Sequence, residues 1–201
     1  MLSTGFVAAE HANIPIGGSV AVLSQGPVGL MATAGARLRG AGLVIGVEAV
    51  PNRIALARKY VCDVWVDFTK ENPVAAILKL TGGTGGGLGH RGPGLGPNLR
   101  RVRERDLAGW DRFERRLPRD GDSVPIPRED WGVGMGDKTI GTGLCPGGSE
   151  WMGRLMRLIE AARVDPLALT SHRFAFKNIE MAFRMMQTKK NGMVKPLISF
   201  A

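Results

Sequence analysis

The stretch Ser19-Val-Ala-Val-Leu-Ser-Gln-Gly-Pro-Val-Gly-Leu-Met31, read on to Glu48, decides the fold. Val20, Ala21, Val22 and Leu23 form a short apolar run, the mark of a parallel strand buried on both faces. Ser24-Gln25-Gly26-Pro27-Val28-Gly29 follows at once as a tight turn into a helix. Pro27 suits the first helical position, and Gly29 lets the helix lie close against the strand. Leu30 to Arg39 favours helix, Gly40-Ala-Gly42 ends it, and Leu43-Val-Ile-Gly-Val47 is a second buried strand with Glu48 at its tip. In such a layout the helix N-terminus faces a pyrophosphate, and an acid roughly 20 residues past the turn accepts ribose hydroxyls. Gly26 is then the point where backbone approaches the phosphates. Ser24 replaces the usual first glycine, and its Cβ strains the turn. The competing reading is an ordinary strand-turn-helix whose glycines serve packing alone.

The units on either side extend the pattern. Pro51-Asn-Arg-Ile-Ala-Leu-Ala-Arg-Lys-Tyr60 reads as an amphipathic helix with Ile54, Leu56, Ala57 and Tyr60 on its buried face. Val64-Trp-Val-Asp-Phe68 is a third strand, and Pro73-Val-Ala-Ala-Ile-Leu-Lys-Leu80 a third helix closed by Thr81-Gly-Gly83. Three strand-helix units in succession mean a doubly wound parallel sheet of the Rossmann type, with right-handed crossovers. Before them, Ser3 to Asn13 reads as a short Ala-rich helix with a hydroxyl cap, ending ahead of Pro15. A chain that opens directly in a helix looks cut. His11 on that helix, with no second ligand type one turn away, reads as a surface or packing residue.

With 201 residues, 44% of them hydrophobic, the chain has material for one good core and an appendage. No apolar run approaches the ~20 residues of a membrane span, and Met1-Leu-Ser-Thr4 lacks the layout of a signal peptide. A cytoplasmic protein is the expectation. Cys62 and Cys145 stand far apart without partners at ligand spacing, which points to buried free thiols rather than a disulfide or zinc.

Several stretches together resemble the medium-chain zinc-dependent alcohol dehydrogenases, in particular their bacterial secondary-alcohol type. These are Gly26-Pro-Val-Gly-Leu-Met31, Val66-Asp-Phe-Thr-Lys70, Ile126-Pro-Arg-Glu-Asp-Trp-Gly-Val-Gly-Met-Gly136, Gly143-Leu-Cys-Pro-Gly-Gly148 and Val194-Lys-Pro-Leu-Ile198. The resemblance covers residues 1 to about 86 and about 120 to 201, in order. It implies a nicotinamide cofactor, small alcohol or ketone substrates, a homo-oligomer, and a catalytic zinc on Cys, His and Asp from an N-terminal portion. In the family that Asp comes immediately before the position of Met1. The zinc ligands are therefore expected to be absent here, with no metal-binding and no catalytic residue to name.

The middle interrupts the pattern. A fourth apolar strand is due after Gly83, yet Gly85 to Asn98 has neither period, and from Leu88 to Arg119 nine arginines face four acids. This interval holds +5 of the chain's net +9, so the basic excess is local. A nucleic-acid arm with Trp110 and Phe113 as stacking groups is one reading; an exposed loop is another. A third rests on the resemblance. Gly89-His-Arg-Gly-Pro-Gly94 can be encoded by GGC CAT CGA GGC CCT GGG, which one base later reads Ala-Ile-Glu-Ala-Leu, a strand end of the family's type. Pro97 to Arg100 shifted likewise can give Thr-Phe-Glu, and Trp110 to Arg119 can give Gly-Thr-Val-Ser-Asn-Val-Gly-Tyr-His. On this reading residues 88–119 are translated out of frame between compensating shifts near Gly86 and Asp120.

In the last third, Gly121 to Pro127 reads as a proline-limited edge segment and Lys138-Thr-Ile140 as a sixth strand. Gly147 to Glu160 reads as a long helix with Trp151, Leu155, Leu158 and Ile159 in one stripe. Phe176 to Gln187 is a further amphipathic helix. Leu197-Ile-Ser-Phe200 would add a strand to a sheet that is absent here, leaving apolar faces uncovered. The division expected is 1–144 for dinucleotide binding, with 88–119 aberrant, and 145–201 as part of a catalytic domain.

Gln25, Gly26, Pro27, Val28 and Gly29 are the expected pyrophosphate turn, with Glu48 on the adenosine ribose. By resemblance, Phe68 flanks the adenine and Lys189 lies near the cofactor; their plainer readings are a core phenylalanine and a solvated lysine. Relatives that use the phosphorylated cofactor have Gly-Ser-Arg where this chain has Glu48-Ala49-Val50. A carboxylate there repels a 2′-phosphate and no arginine replaces the lost partner, so NAD is expected ahead of NADP. The function classes rank as an alcohol dehydrogenase portion inactive alone, then a non-catalytic NAD-binding or oligomerisation module, then a nucleic-acid binder.

Overall fold

The computed structural model describes residues 1–83, 112–113, 140–141, 145–188 and 190–200. Strands β1 (Ser19–Leu23) and β2 (Leu43–Val47) pair in parallel with Val20 opposite Val44, and β3 (Val64–Val66) joins β2 through Ile45 and Val64. The sheet order is β1-β2-β3. Alternate residues face opposite layers. Val20, Val22 and Val44 pack on Ala8, Ala9, Ala32 and Ala36 of helices α1 (Leu2–His11) and α2 (Pro27–Leu38). Ala21, Ile45, Val47 and Val66 pack on Val74 and Ile77 of α4 (Pro73–Leu80). Both faces are covered, which is why these strands show continuous rather than alternating apolar sequence.

Small residues let α1 and α2 nearly touch: a Cβ at Gly5 would lie 2.4 Å from Met31 Cβ. The expected hydroxyl cap of α1 is not formed. Met1 is the N-cap, and Ser3, inside the first turn, instead accepts from Trp151 Nε1 at 2.6 Å. Between β2 and β3 runs α3 (Pro51–Lys59), where Ala57 and Tyr60 are buried and Ile54 and Leu56 half-buried. The third strand stops at Val66 rather than Phe68 because Asp67 Oδ1 accepts from the amide and hydroxyl of Thr69, folding the chain into a turn. Asn72 caps α4 by accepting from the amides of Val74 and Ala75.

A strand was not expected between 88 and 119, yet β4 (Arg112–Phe113) pairs in parallel with β5 (Ile140–Gly141). The remainder of that interval, the segment Gly121 to Pro127, and Lys138 with Thr139 lie outside the described residues.

Helix α5 (Ser149–Glu160) buries the expected stripe: Trp151 and Leu155 join Phe6, Leu30, Met31, Ala57 and Tyr60 in one core, with Leu158 and Ile159 against its rim. Tyr60 Oη donates to the carbonyl of Asp165 at 2.6 Å, tying α3 to the chain beyond α5. The last strand, expected to join a sheet absent here, has one neighbour among the described residues. β6 (Thr170–Ala175) pairs in parallel with β7 (Lys195–Ser199), and α6 (Ile179–Thr188), preceded by a 3₁₀ turn at Phe176–Asn178, connects them. Apolar surface remains uncovered there: Phe183 is 57% and Phe200 80% exposed, and the Phe176 and Phe200 rings stack 4.9 Å apart. Both cysteines are free, Cys62 buried and Cys145 half-buried. Among the described residues no helix is long and apolar enough to cross a membrane.

Candidate functional site

The end of β1, the start of α2 and the tip of β2 meet at one mouth. Ser24 carries a φ of 70°, the left-handed conformation its misfit with the glycine pattern foretold, and its amide donates to the Val47 carbonyl at 2.8 Å. The two glycines of the turn do different jobs. A Cβ at Gly29 would fall 1.8 Å from the Ser24 carbonyl oxygen, so that glycine is required by helix-strand packing. Gly26 has φ −70° and ψ 179°, which any residue adopts, and a Cβ there would meet nothing nearer than Ser24 Oγ at 3.9 Å and Arg53 Nη1 at 4.0 Å. Neither backbone nor internal packing asks for glycine at 26. The room it leaves lies at the N-terminus of α2, where Pro27 has no N–H and the amides of Val28 and Gly29 have no acceptor within the helix.

Gln25 holds this turn from inside. Its side chain is fully buried, donating to the Val22 carbonyl and accepting from Thr33 Oγ1, each at 2.9 Å, and its amide donates to Glu48 Oε2 at 3.1 Å. It therefore shapes the mouth without offering a polar atom to it. Glu48, 3% exposed, also accepts on Oε1 from the amides of Ala49 at 2.9 Å and Val50 at 3.2 Å, and on Oε2 from Arg53 Nη1 at 3.2 Å. Sequence reasoning placed no arginine near this carboxylate. The available signal was Pro51 at the first position of α3: it puts Arg53 in the opening turn, where a long side chain leans back toward the preceding strand tip.

Phe68 is half-buried against the cluster that contains Ile45, Val47 and Val66. Lys189 lies outside the described residues. Beyond Ala49 and Pro51 a groove of about 440 Å³ is lined by Arg58, Trp65, Asp67 and Lys70, with the Arg58 guanidinium 4.0 Å over the Trp65 ring. The Thr69 hydroxyl and amide, then Lys70, hold the Asp67 carboxyl below the ordinary carboxylate range. Among the described residues no three His, Cys, Asp or Glu side chains converge on a point that could hold a metal ion. They do not fit a zinc.

Parallel β1-β2-β3 with a glycine turn after β1 and an acid after β2 defines the Rossmann class of α/β fold. Among solved structures the fold is similar to benzyl alcohol dehydrogenase from Acinetobacter calcoaceticus, with a TM-score of 0.82 and 24% identity over 100% of this chain and 54% of that one. It is also similar to an alcohol dehydrogenase from Thermus sp. ATN1, with a TM-score of 0.80 and 24% identity over 98% of this chain and 56% of that one. No family model matches the chain. In sequence it is 40% identical over 203 residues to an NADP-dependent isopropanol dehydrogenase of Thermoanaerobacter brockii, a match spanning 100% of this chain and 57% of the relative. It is 38% identical over 204 residues to an alcohol dehydrogenase of Cupriavidus necator, 97% of this chain and 53% of the relative. The chain belongs to the medium-chain zinc-dependent alcohol dehydrogenase family, and spans about half the length of the curated relatives it matches.

Proposed function

We propose that this chain is the nicotinamide-dinucleotide-holding part of an oxidoreductase that interconverts small alcohols and ketones or aldehydes. The observation that carries the reading is Gly26, a glycine with no internal reason to be one, at the open N-terminus of α2. Phosphate oxygens would take the first-turn amides of Val28 and Gly29 and the positive end of the helix, and Gly26 lets them approach. Pro27 stiffens that turn. Ala49 and Val50 border the adenosine side and Phe68 supports the adenine, and in sequence Lys189 matches a lysine that the family carries near the cofactor. The bound dinucleotide supplies the hydride chemistry; the chain's part is to hold and orient it. A buried carboxylate at position 48 supports NAD ahead of NADP, although the isopropanol dehydrogenase relative is named for NADP. In this reading residues 1–144 bind the dinucleotide, 145–201 belong with the catalytic portion of the family, and 88–119 departs from the family's reading frame.

The test compares the two glycines by calorimetric titration with NAD. Gly26→Val is expected to keep the circular dichroism and melting of the parent and to lose NAD binding by at least about tenfold, whereas Gly29→Val loses the fold. Unchanged NAD affinity in a folded Gly26→Val protein overturns the site.

A second reading, a non-catalytic NAD-binding module that self-associates, is favoured by the uncovered Phe176, Phe183 and Phe200. It predicts a homo-oligomer in sedimentation that dissociates in Phe183→Ser with NAD affinity unchanged.

A further inference from the structure

Gln25 and Thr33 are polar side chains with no exposed surface, and they hold each other: Thr33 Oγ1 donates to Gln25 Oε1 at 2.9 Å. The Val22 carbonyl can only accept, so it takes the Gln25 Nε2 group, at 2.9 Å, and turns the amide oxygen toward Thr33. Room for the amide comes from Gly46 in the middle of β2, where a Cβ would lie 3.3 Å from Gln25 Cδ and Nε2 and 2.9 Å from Cys62 Sγ. Both strands and the helix thus meet on one side chain: β1 through Val22, β2 through Gly46 and α2 through Thr33. An apolar pair of the same shape would fill this space at little or no cost in stability, because bonds between buried polar groups replace bonds to water. What the polar pair adds is position.

Position matters because the turn does not take its shape unaided. Ser24 is held at a φ of 70°, where a residue with a Cβ is strained, and the next residue is the one clamped by Val22 and Thr33. Beyond it Gly26 opens α2, and the first-turn amides of Val28 and Gly29 follow. From this geometry we infer that Thr33 is a positioning residue for the diphosphate of the dinucleotide, acting through the Gln25 amide on the backbone that the phosphates meet. The inference rests on the dinucleotide reading above. Thr33 lies more than a turn inside α2 and is wholly buried, so it meets no ligand itself. Its hydroxyl keeps the amide from turning over, the amide keeps residue 25 in place, and the donors behind Gly26 stay aimed before any ligand arrives. A turn already aimed binds a diphosphate without the entropic cost of ordering it. With the hydroxyl gone Ser24 is free to leave its left-handed conformation, and that cost returns as weaker binding of the diphosphate. The adenosine end, bordered by Ala49 and Val50, stays as it was.

The experiment is calorimetric titration of the full chain with ADP-ribose, and with adenosine by displacement of ADP-ribose, for the parent, Thr33→Val, Thr33→Ser and Gln25→Met. Each result is the ratio of the two affinities, which a change in the folded fraction leaves untouched. The parent should bind ADP-ribose at least about tenfold more tightly than adenosine. Thr33→Val has the same shape without the hydroxyl and should lower that ratio by about fivefold, the size of one neutral hydrogen bond. Gln25→Met should lower it by a similar factor. Thr33→Ser keeps the hydroxyl and should hold the ratio within about twofold of the parent. A Thr33→Val protein with the parent's ratio overturns the inference, as does a Thr33→Ser protein that loses as much as Thr33→Val; either leaves the dinucleotide site standing. A folded parent that binds ADP-ribose no better than adenosine refutes the diphosphate turn, and the role of Thr33 with it. Should Thr33→Val fail to fold, Thr33→Ala, which suits a helix better, is read in the same way.

Discussion

The amide of Gln25 donates to Glu48 Oε2 across 3.1 Å, so the turn after β1 and the tip of β2 are one hydrogen-bonded unit rather than two neighbouring loops. Glu48 binds three backbone amides and one guanidinium in a setting almost without water. Removing it strands those donors. Glu48→Ala is expected to cost about 3 kcal/mol, in the range for a buried partner whose loss leaves several groups unpaired. Glu48→Gln keeps the size and one acceptor and should cost less. Urea denaturation measures both, and a loss under about 1 kcal/mol for the alanine variant would show that water replaces the carboxylate without penalty.

A second prediction concerns the end of α3. Val61 has a φ of 64° and closes the helix in a Schellman motif, its own amide donating to Arg58 O and that of Cys62 to Ala57 O, each at 3.0 Å. The same pair of bonds closes α2, where the left-handed residue is Gly40. A β-branched residue in this conformation is strained, and Val61, 51% exposed, contributes little packing in return. Val61→Gly is expected to stabilise the protein by about 1 kcal/mol, the left-handed penalty less the chain entropy of glycine. The melting temperature should rise by about 3 °C. A fall on substitution would mean that the exposed isopropyl group packs more than its accessibility implies.

The first half of the sheet was legible because its causes are local. Val20 to Leu23 and Leu43 to Val47 state burial on both faces, Pro27 and Pro51 mark helix starts, and Gly40 and Gly82 mark helix ends. The pairing of β7 was not legible, since its partner Thr170–Ala175 is short, mixed in polarity and joined through a long connection. Ser3 failed as a cap because a tertiary partner, Trp151, claimed its hydroxyl. At the site, the glycine turn and Glu48 could be read from spacing, but the saturation of that carboxylate could not. It depends on where the Arg53 side chain turns.

The third prediction is alkaline instability, set by two buried acids on either side of the α3 terminus. Burial pushes the Cys62 thiol from its ordinary 9.0 up to about 11. Burial, followed by the nearby Asp165 carboxylate, pushes the Tyr60 phenol from 10.0 up to about 12. In both cases the fold favours the neutral form. The unfolded chain releases these protons at the ordinary values, so their stabilising contribution is whole below about pH 9 and is lost as pH rises through the raised values. Urea midpoints should therefore fall from about pH 9 upward. Cys62→Ala should flatten the part between pH 9 and 11, and Tyr60→Phe the part between 10 and 12. Tyr60→Phe also loses the 2.6 Å bond to the Asp165 carbonyl, which lowers stability at neutral pH by about 1 kcal/mol while the alkaline slope becomes shallower. A parent whose midpoint stays level to pH 11, or variants that keep its slope, would place both protons in solvent and break the link between α3 and the chain after α5.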